Sequence, residues 1–234
     1  MIKIGTPEYH FDVQQGSDEW LRNRLGRVTG SEVNSIVTPK GEPASGKAVL
    51  SYACQKAAER ETQFLEDHFE SWDMRRGSLQ EEYARDYYSE SYEQVAECGF
   101  ITNTINGVKV GCSPDGLCGE KGGIEIKSRL AKFQVNTIIT GEVDDQYLNQ
   151  CQAFLLISGR EWIDFISYSN GLPLFVKRIQ PDPIRQESII NALLEFEKIV
   201  VDMQKKYASL ASSLVQTERV DLTFNNDEIE IIGE

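Results

Sequence analysis

The chain has 234 residues, 40% of them hydrophobic and 26% charged, with a formal net charge of −13. That length suits one sizeable domain with a terminal extension. The acidic balance excludes a protein that coats polyanions by neutralising phosphates, but not an enzyme with a local basic groove. No apolar run reaches the length of a membrane span and the first five residues lack a signal-peptide core, so a cytoplasmic protein with no membrane partner is expected. The 5 cysteines lack a Cys-x-x-Cys pair and read as free thiols, not a disulfide framework or zinc ribbon.

In chain order, residues 18–27 predict a short helix after the Gln14–Ser17 turn. Thr29-Gly30-Ser31-Glu32 fits a capping box leading into Val33, Ile36 and Val37. Residues 38–46 are Pro/Gly-rich and predict a loop. A long helix is expected over about 47–69, with Leu50, Ala53, Ala57, Phe64 and Leu65 facing inward. Gly77 punctuates the chain before a helix over about 78–90 that carries Glu81, Glu82, Tyr83 and Tyr87. Strands are expected over about 94–102, over 107–113 after the Asn106-Gly107 hairpin signal, and over 123–128.

A helix over 143–158 carries Tyr147, Gln150 and Cys151, and strands follow over 161–167 and 174–179. Ile190, Leu193, Phe196, Val200 and Met203 give 183–207 the spacing of an amphipathic helix. An acidic extension occupies about 215–234. The order predicts an α/β fold as a single domain, 1–234, with its core over about 14–205 and one mixed β-sheet flanked by helices.

The chemistry concentrates in Ser113-Pro114-Asp115-Gly116 and Gly123-Ile124-Glu125-Ile126-Lys127. Side chains alternate along a strand, so Ile124 and Ile126 share one face while Glu125 and Lys127 share the other. Pro114 ends strand pairing and places Asp115 at a strand end, from which one further hairpin brings it beside Glu125. Adjacent carboxylates are costly unless a divalent cation neutralises them, and hard oxygen donors suit Mg²⁺ or Mn²⁺. Each piece also has a plainer reading. A Pro-Asp-Gly aspartate is commonly a turn residue, and Glu-x-Lys on a strand is commonly a solvated face.

With this order of elements, Pro114-Asp115 and Glu125-Ile126-Lys127 resemble the signature of the PD-(D/E)xK nuclease superfamily, whose core is αβββαβ. Further blocks narrow the likeness: Arg24-Leu25-Gly26, Thr29-Gly30-Ser31-Glu32-Val33, Gly77 with Glu81, Cys112-Ser113-Pro114-Asp115-Gly116-Leu117, and Tyr147 with Gln150 and Gln152. These are similar to the lambda exonuclease (YqaJ-like viral recombinase) family. The resemblance implies a restriction-endonuclease-like fold and two Mg²⁺ ions, for which Mn²⁺ substitutes. Asp115 would be the central ligand, joined by Glu125, the Ile126 carbonyl and Glu81. Such ions lower the pKa of the attacking water and neutralise charge developing on the phosphoryl group.

Lys127 would contact the water and the scissile phosphate, as general base or as cationic orienter, and beside Mg²⁺ its pKa should be lowered. Gln150 would orient the water or a phosphate oxygen. Arg24, Ser31 and Thr29 would form a pocket for the terminal 5′-phosphate: Arg24 offers a planar donor fork, and Ser31 lies in the first turn of a capped helix. Arg76 would track the DNA backbone.

The implied activity is 5′→3′ digestion of one strand of linear double-stranded DNA to 5′-mononucleotides, leaving 3′ single-stranded overhangs for recombination. The implied partners are a ring-shaped homotrimer of the chain itself and a single-strand annealing protein, in a phage- or prophage-encoded system. A sequence-specific endonuclease shares the core, and an inactive DNA-binding or assembly subunit would keep the fold. An iron–sulfur nuclease would need four suitably spaced cysteines, a pattern this chain does not offer.

Overall fold

A computed structural model describes residues 2–66 and 72–219, with the side chains of residues 72–74 left aside. The apolar core falls into two clusters, a large one shared by two sheets and a smaller one on the other face of the second sheet. The first sheet has four strands in the order β1 (Glu8–His10), β4 (Phe100–Ile105), β5 (Val108–Cys112) and β2 (Val28–Thr29). The second has five: β3 (Val95–Ala96), β6 (Gly116–Cys118), β7 (Gly122–Ser128), β8 (Trp162–Tyr168) and β9 (Phe175–Ile179). β7 and β8 run parallel, and β6 and β9 flank them antiparallel. The fold is thus mixed α/β with helices on the sheets, while the single sheet expected from sequence is divided in two. Ser113–Asp115 cross between them.

Helix α5 (Asp145–Ser158) is the central packing element, buried at Asn149 and continuously from Cys151 to Ser158. It packs against the first sheet and against a six-residue 3₁₀ helix, η1 (Gly30–Ser35). Helix α6 (Pro183–Ala211) starts on the Asp182 cap, whose side chain accepts from the Ile184 and Arg185 N–H groups, and buries Ile189, Ile190, Leu193, Phe196 and Val200. It lies along helix α2 (Lys47–Thr62). Helix α3 (Trp72–Ser91) covers β7 from the other side, where Ala84 and Tyr88 meet Ile124 and Ile126.

Several boundaries differ from expectation for identifiable reasons. α2 ends at Thr62 rather than near 69, with Gln63 left-handed at φ 55°. Leu50 and Phe64 are exposed, and the inward positions include the charged Lys56 and Glu59. The Lys56 ammonium pairs with Glu59 and also with Glu32, so the helix's buried face is not its most apolar one. Gly77 lies inside α3 instead of preceding it. Residues 94–102 are not one strand, because the chain leaves β3 and enters β4 in the other sheet.

Helix α1 (Asp18–Arg24) is capped by Ser17, whose hydroxyl accepts from Trp20 N–H. Helix α4 (Ala131–Thr140) was not legible at all, since it buries Gln134 and Thr137 while Phe133, Val135, Ile138 and Ile139 stay exposed. Most of the acidic extension, residues 220–234, lies outside the described residues.

The passage between β3 and β4 is tight at Gly99. A Cβ there would stand 1.6 Å from the Val13 carbonyl oxygen, a backbone atom with no room to yield. Gly99→Ala is expected to destabilise the protein by about 3 kcal/mol or more, at or beyond the upper end of ordinary overpacking. Chemical denaturation monitored by circular dichroism measures it; an unchanged midpoint would contradict this packing.

Candidate active site

β6 and β7 form a short antiparallel hairpin with Gly116 opposite Ile124. Asp115 stands just before β6, and Glu125 just after the last residue of β7 that pairs with β6. The hairpin therefore brings the two carboxylates together, and Asp115 Oδ2 accepts the Ile126 N–H at 2.6 Å. Within a strand, one residue's N–H and C=O point to the same side. The Ile126 carbonyl thus also faces Asp115, at a level where β6 has already ended.

Glu125 is 4% exposed. Its Oε1 lies 2.5 Å from Lys127 Nζ and accepts from Gln150 Nε2 of α5 at 2.7 Å. The Lys127 ammonium also sits 5.6 Å from the centre of the Tyr147 ring. Glu81 projects from α3 into a cleft that Asp115, Pro114, Gln15 and Arg85 also line. Arg85 binds Glu81 Oε1 at 2.6 Å and the Asp115 carbonyl at 2.8 Å, tying α3 to the segment before β6. Arg76 reaches the Ser128 hydroxyl at 3.5 Å, one residue past Lys127.

Burial dominates the electrostatics. It raises the Asp115 carboxyl above its usual range against the pull of Lys127 and the Ile126 N–H. Burial, with Asp115 as the chief like charge, pushes Glu125 up to about 8 in spite of Lys127. Glu81 rises to about 7 through burial and then Asp115. Burial works to lower Lys127, but Glu125 and Asp115 outweigh it and hold the ammonium above its ordinary value. The lowered pKa expected for Lys127 concerns the Mg²⁺-bound protein; without the ion its sign is set by the carboxylates.

Among the described residues, no three His, Cys, Asp or Glu side chains already form a metal cage. Lys127 occupies Glu125, Arg85 occupies Glu81, and the Ile126 N–H occupies Asp115. The donor set nevertheless fits a hard divalent cation: three carboxylates and the Ile126 carbonyl on the edge of β7 beyond the end of β6, each carboxylate made hard to ionise by its surroundings.

Arg24, Thr29 and Ser31 converge on the same region by a different route. β2 pairs in parallel with β5, Thr29 opposite Gly111, which puts the start of η1 beside the segment leading to Asp115. Thr29 donates its N–H and hydroxyl to Glu32 Oε2 at 3.3 and 2.7 Å, and its Oγ1 lies 3.3 Å from the Ser31 hydroxyl. The capping box is present, but on a six-residue 3₁₀ helix, too short for the helix-dipole argument made from sequence for Ser31. Arg24 lies 4.5 Å over the Trp20 ring, and Trp20 Nε1 donates to the Ser113 hydroxyl at 2.7 Å.

Trp20 and Ser113 thus link Arg24 to the Asp115 segment, a connection missed in the sequence. The helical four-residue spacing of Trp20 and Arg24 was its available signal. Gln152, the second glutamine of the resemblance, instead binds the Gln180 carbonyl and the Asp182 N–H as a structural brace.

A family model described as the YqaJ-like viral recombinase domain matches residues 19–161. Among solved structures, the alkaline exonuclease LHK-Exo from Laribacter hongkongensis is 32% identical, with a TM-score of 0.68, covering 83% of this chain and 100% of its own. LHK-Exo in complex with dAMP matches with the same identity, coverage and TM-score. No curated protein sequence matches the chain. On the family match and the likeness to LHK-Exo, the chain belongs to the YqaJ-like viral recombinase family.

Proposed function

We propose that the protein is a Mg²⁺-dependent 5′→3′ exonuclease that degrades one strand of linear double-stranded DNA to 5′-mononucleotides and leaves 3′ overhangs. The observation carrying this reading is the convergence of Asp115, Glu125, Lys127 and Glu81 with Arg24, Thr29 and Ser31 around one crossing segment, Ser113–Asp115. The first group suits phosphodiester hydrolysis, and the second suits recognition of a chain end. The 32% identity to an alkaline exonuclease, and that enzyme's crystallisation with a deoxynucleoside monophosphate, support the same class of reaction and product.

In this reading Asp115, Glu125, Glu81 and the Ile126 carbonyl hold two divalent ions. Bound Mg²⁺ supplies an acidified water and neutralisation of phosphoryl charge. Gln150 fixes the Glu125 carboxylate from α5, and Lys127 presents its ammonium at the open end of the pair. Arg24 offers two N–H donors to a terminal phosphate, with the Ser31 hydroxyl beside it. Arg76, at the far end of β7, is suited to the DNA backbone. A ring-shaped homotrimer would enclose the duplex and give processivity despite the acidic surface, and a single-strand annealing protein would take up the exposed 3′ tail.

The test compares 5′-phosphorylated linear duplex, 5′-hydroxyl linear duplex and closed circular DNA with Mg²⁺. Linear DNA should yield mononucleotides while the circle stays intact. Arg24→Ala should lower kcat/KM on phosphorylated ends by roughly ten- to a hundredfold, the worth of a charged hydrogen bond to phosphate, with a smaller effect on hydroxyl ends. Cutting of the circle at the linear rate would favour the endonuclease reading instead.

A further inference from the structure

Lys56 is only 2% exposed, yet it takes no part in the chemistry described so far. Its ammonium lies 3.1 Å from Glu32 Oε1, 3.1 Å from each Glu59 oxygen and 5.2 Å from the centre of the Tyr52 ring. A buried ion pair is weak evidence for stability, since an apolar side chain of similar size commonly serves a fold as well. What distinguishes this one is where its partners lead.

Glu59 Oε2 accepts the Gly26 N–H at 2.9 Å, and the neighbouring Arg60 donates Nε to the Gly26 carbonyl at 2.9 Å. Gly26 is left-handed at φ 65°, and a Cβ there would stand 2.6 Å from Arg60 Cγ. α2 therefore grips both sides of the turn between Arg24 and Thr29. Glu32 Oε2, besides accepting from Thr29, lies 3.9 Å from an Arg24 nitrogen. Burial opposes ionisation of Glu32, but Lys56, Thr29 and Arg24 together hold its pKa below the ordinary value, so it stands as a carboxylate. A carboxylate among Arg24, Thr29 and Ser31 would repel an incoming phosphate unless its charge were cancelled from behind.

We propose that Lys56 is the counter-charge that lets an anionic Glu32 shape the 5′-phosphate pocket without repelling the phosphate, so that this pair sets the preference for phosphorylated ends. Both are positioning residues, and the proposal rests on the pocket reading given above. The experiment is steady-state digestion of matched linear duplexes with 5′-phosphate or 5′-hydroxyl ends by the full chain with Mg²⁺.

Lys56→Met should raise KM on phosphorylated ends about tenfold, as expected for one uncompensated charge several ångströms from the phosphate, with kcat and the hydroxyl-end KM nearly unchanged. Glu32→Gln should lower KM on phosphorylated ends several-fold, because a negative charge is removed. The double variant should return the preference toward that of the wild type. A purely structural role predicts the opposite sign for Glu32→Gln, and a raised phosphorylated-end KM in that variant overturns the proposal. Equal losses on both ends in Lys56→Met overturn it too. Glu32→Gln keeps the Lys56–Glu59 pair and decides the sign even if Lys56→Met fails to fold. A wild-type protein without end preference would overturn the pocket reading itself, and a wild-type preference untouched by either variant would overturn this proposal alone.

Discussion

Asp115→Asn is expected to abolish DNA hydrolysis and, at the same time, to make the metal-free protein more stable at alkaline pH. The activity should fall at least about 10³-fold, because the neutral amide no longer ligates or compensates a cation where charge develops on the phosphate. The stability gain follows from the carboxylates. Asp115 is the chief like charge that raises both Glu81 and Glu125, whose folded pKa values reach about 7 and about 8. A carboxyl with a raised folded pKa contributes stability that is full below its unfolded pKa and is lost as pH rises through the folded value.

Metal-free wild-type protein should therefore weaken between roughly pH 5 and pH 9 as these groups are forced to ionise. Asp115→Asn removes one of the three charges and relieves the other two. The gain at high pH should be roughly 1–3 kcal/mol, the scale of relieving one poorly compensated buried polar group. Urea denaturation in the presence of a chelator, repeated across the pH range, measures it. A variant less stable than wild type throughout would show that the Asp115–Ile126 hydrogen bond outweighs the repulsion.

Mg²⁺ affinity should be steeply pH-dependent for the same reason. Ligands must lose their protons before they bind a cation, so binding and deprotonation compete. With Glu81 near 7 and Glu125 near 8, up to two protons leave on binding below that window and almost none above it. Each displaced proton costs up to a factor of ten in affinity per pH unit. Apparent affinity should thus drop on the order of a hundredfold between about pH 8.5 and about pH 6.5. Titration calorimetry in buffers of different ionisation heat reads the proton release directly. A flat affinity without proton release would mean that these carboxylates are not the ligands. The expected activity profile rises toward alkaline pH.

The placement of the β7 side chains was the most legible part of the sequence. Strict alternation in β7 places Glu125 and Lys127 on one face, and the structure puts Ile124 and Ile126 against α3 on the other. The proximity of Asp115 to Glu125 was inferred from a turn and a hairpin, although β6 itself is too short to signal a strand. Elements whose burial contradicts polarity stayed hidden. Lys56 and Glu59 occupy core positions because they pair, with Glu32 sharing the ammonium, and α4 turns Gln134 inward, where it binds the Ser167 and Pro173 carbonyls. Pattern reading weighs residues one at a time, whereas these burials are decided by pairs. The Trp20–Ser113 link was equally hidden, being a contact between residues 93 positions apart.

The β6–β7 hairpin has one further consequence. Its closing loop, Gly119–Lys121, lies at the end remote from Asp115 and Glu125. The interval between the aspartate and the Glu-x-Lys triplet is therefore a ruler with one free end. Paired residues can be added to both arms, or loop residues at the tip, without moving either carboxylate relative to the other. A single residue inserted into the β7 arm alone would turn Glu125 and Lys127 toward α3 and Ile124 and Ile126 toward α5. Distant relatives should thus vary widely in this spacing while preserving the pairing of Gly116 with Ile124, so the register of the hairpin, not its length, is what evolution must hold constant.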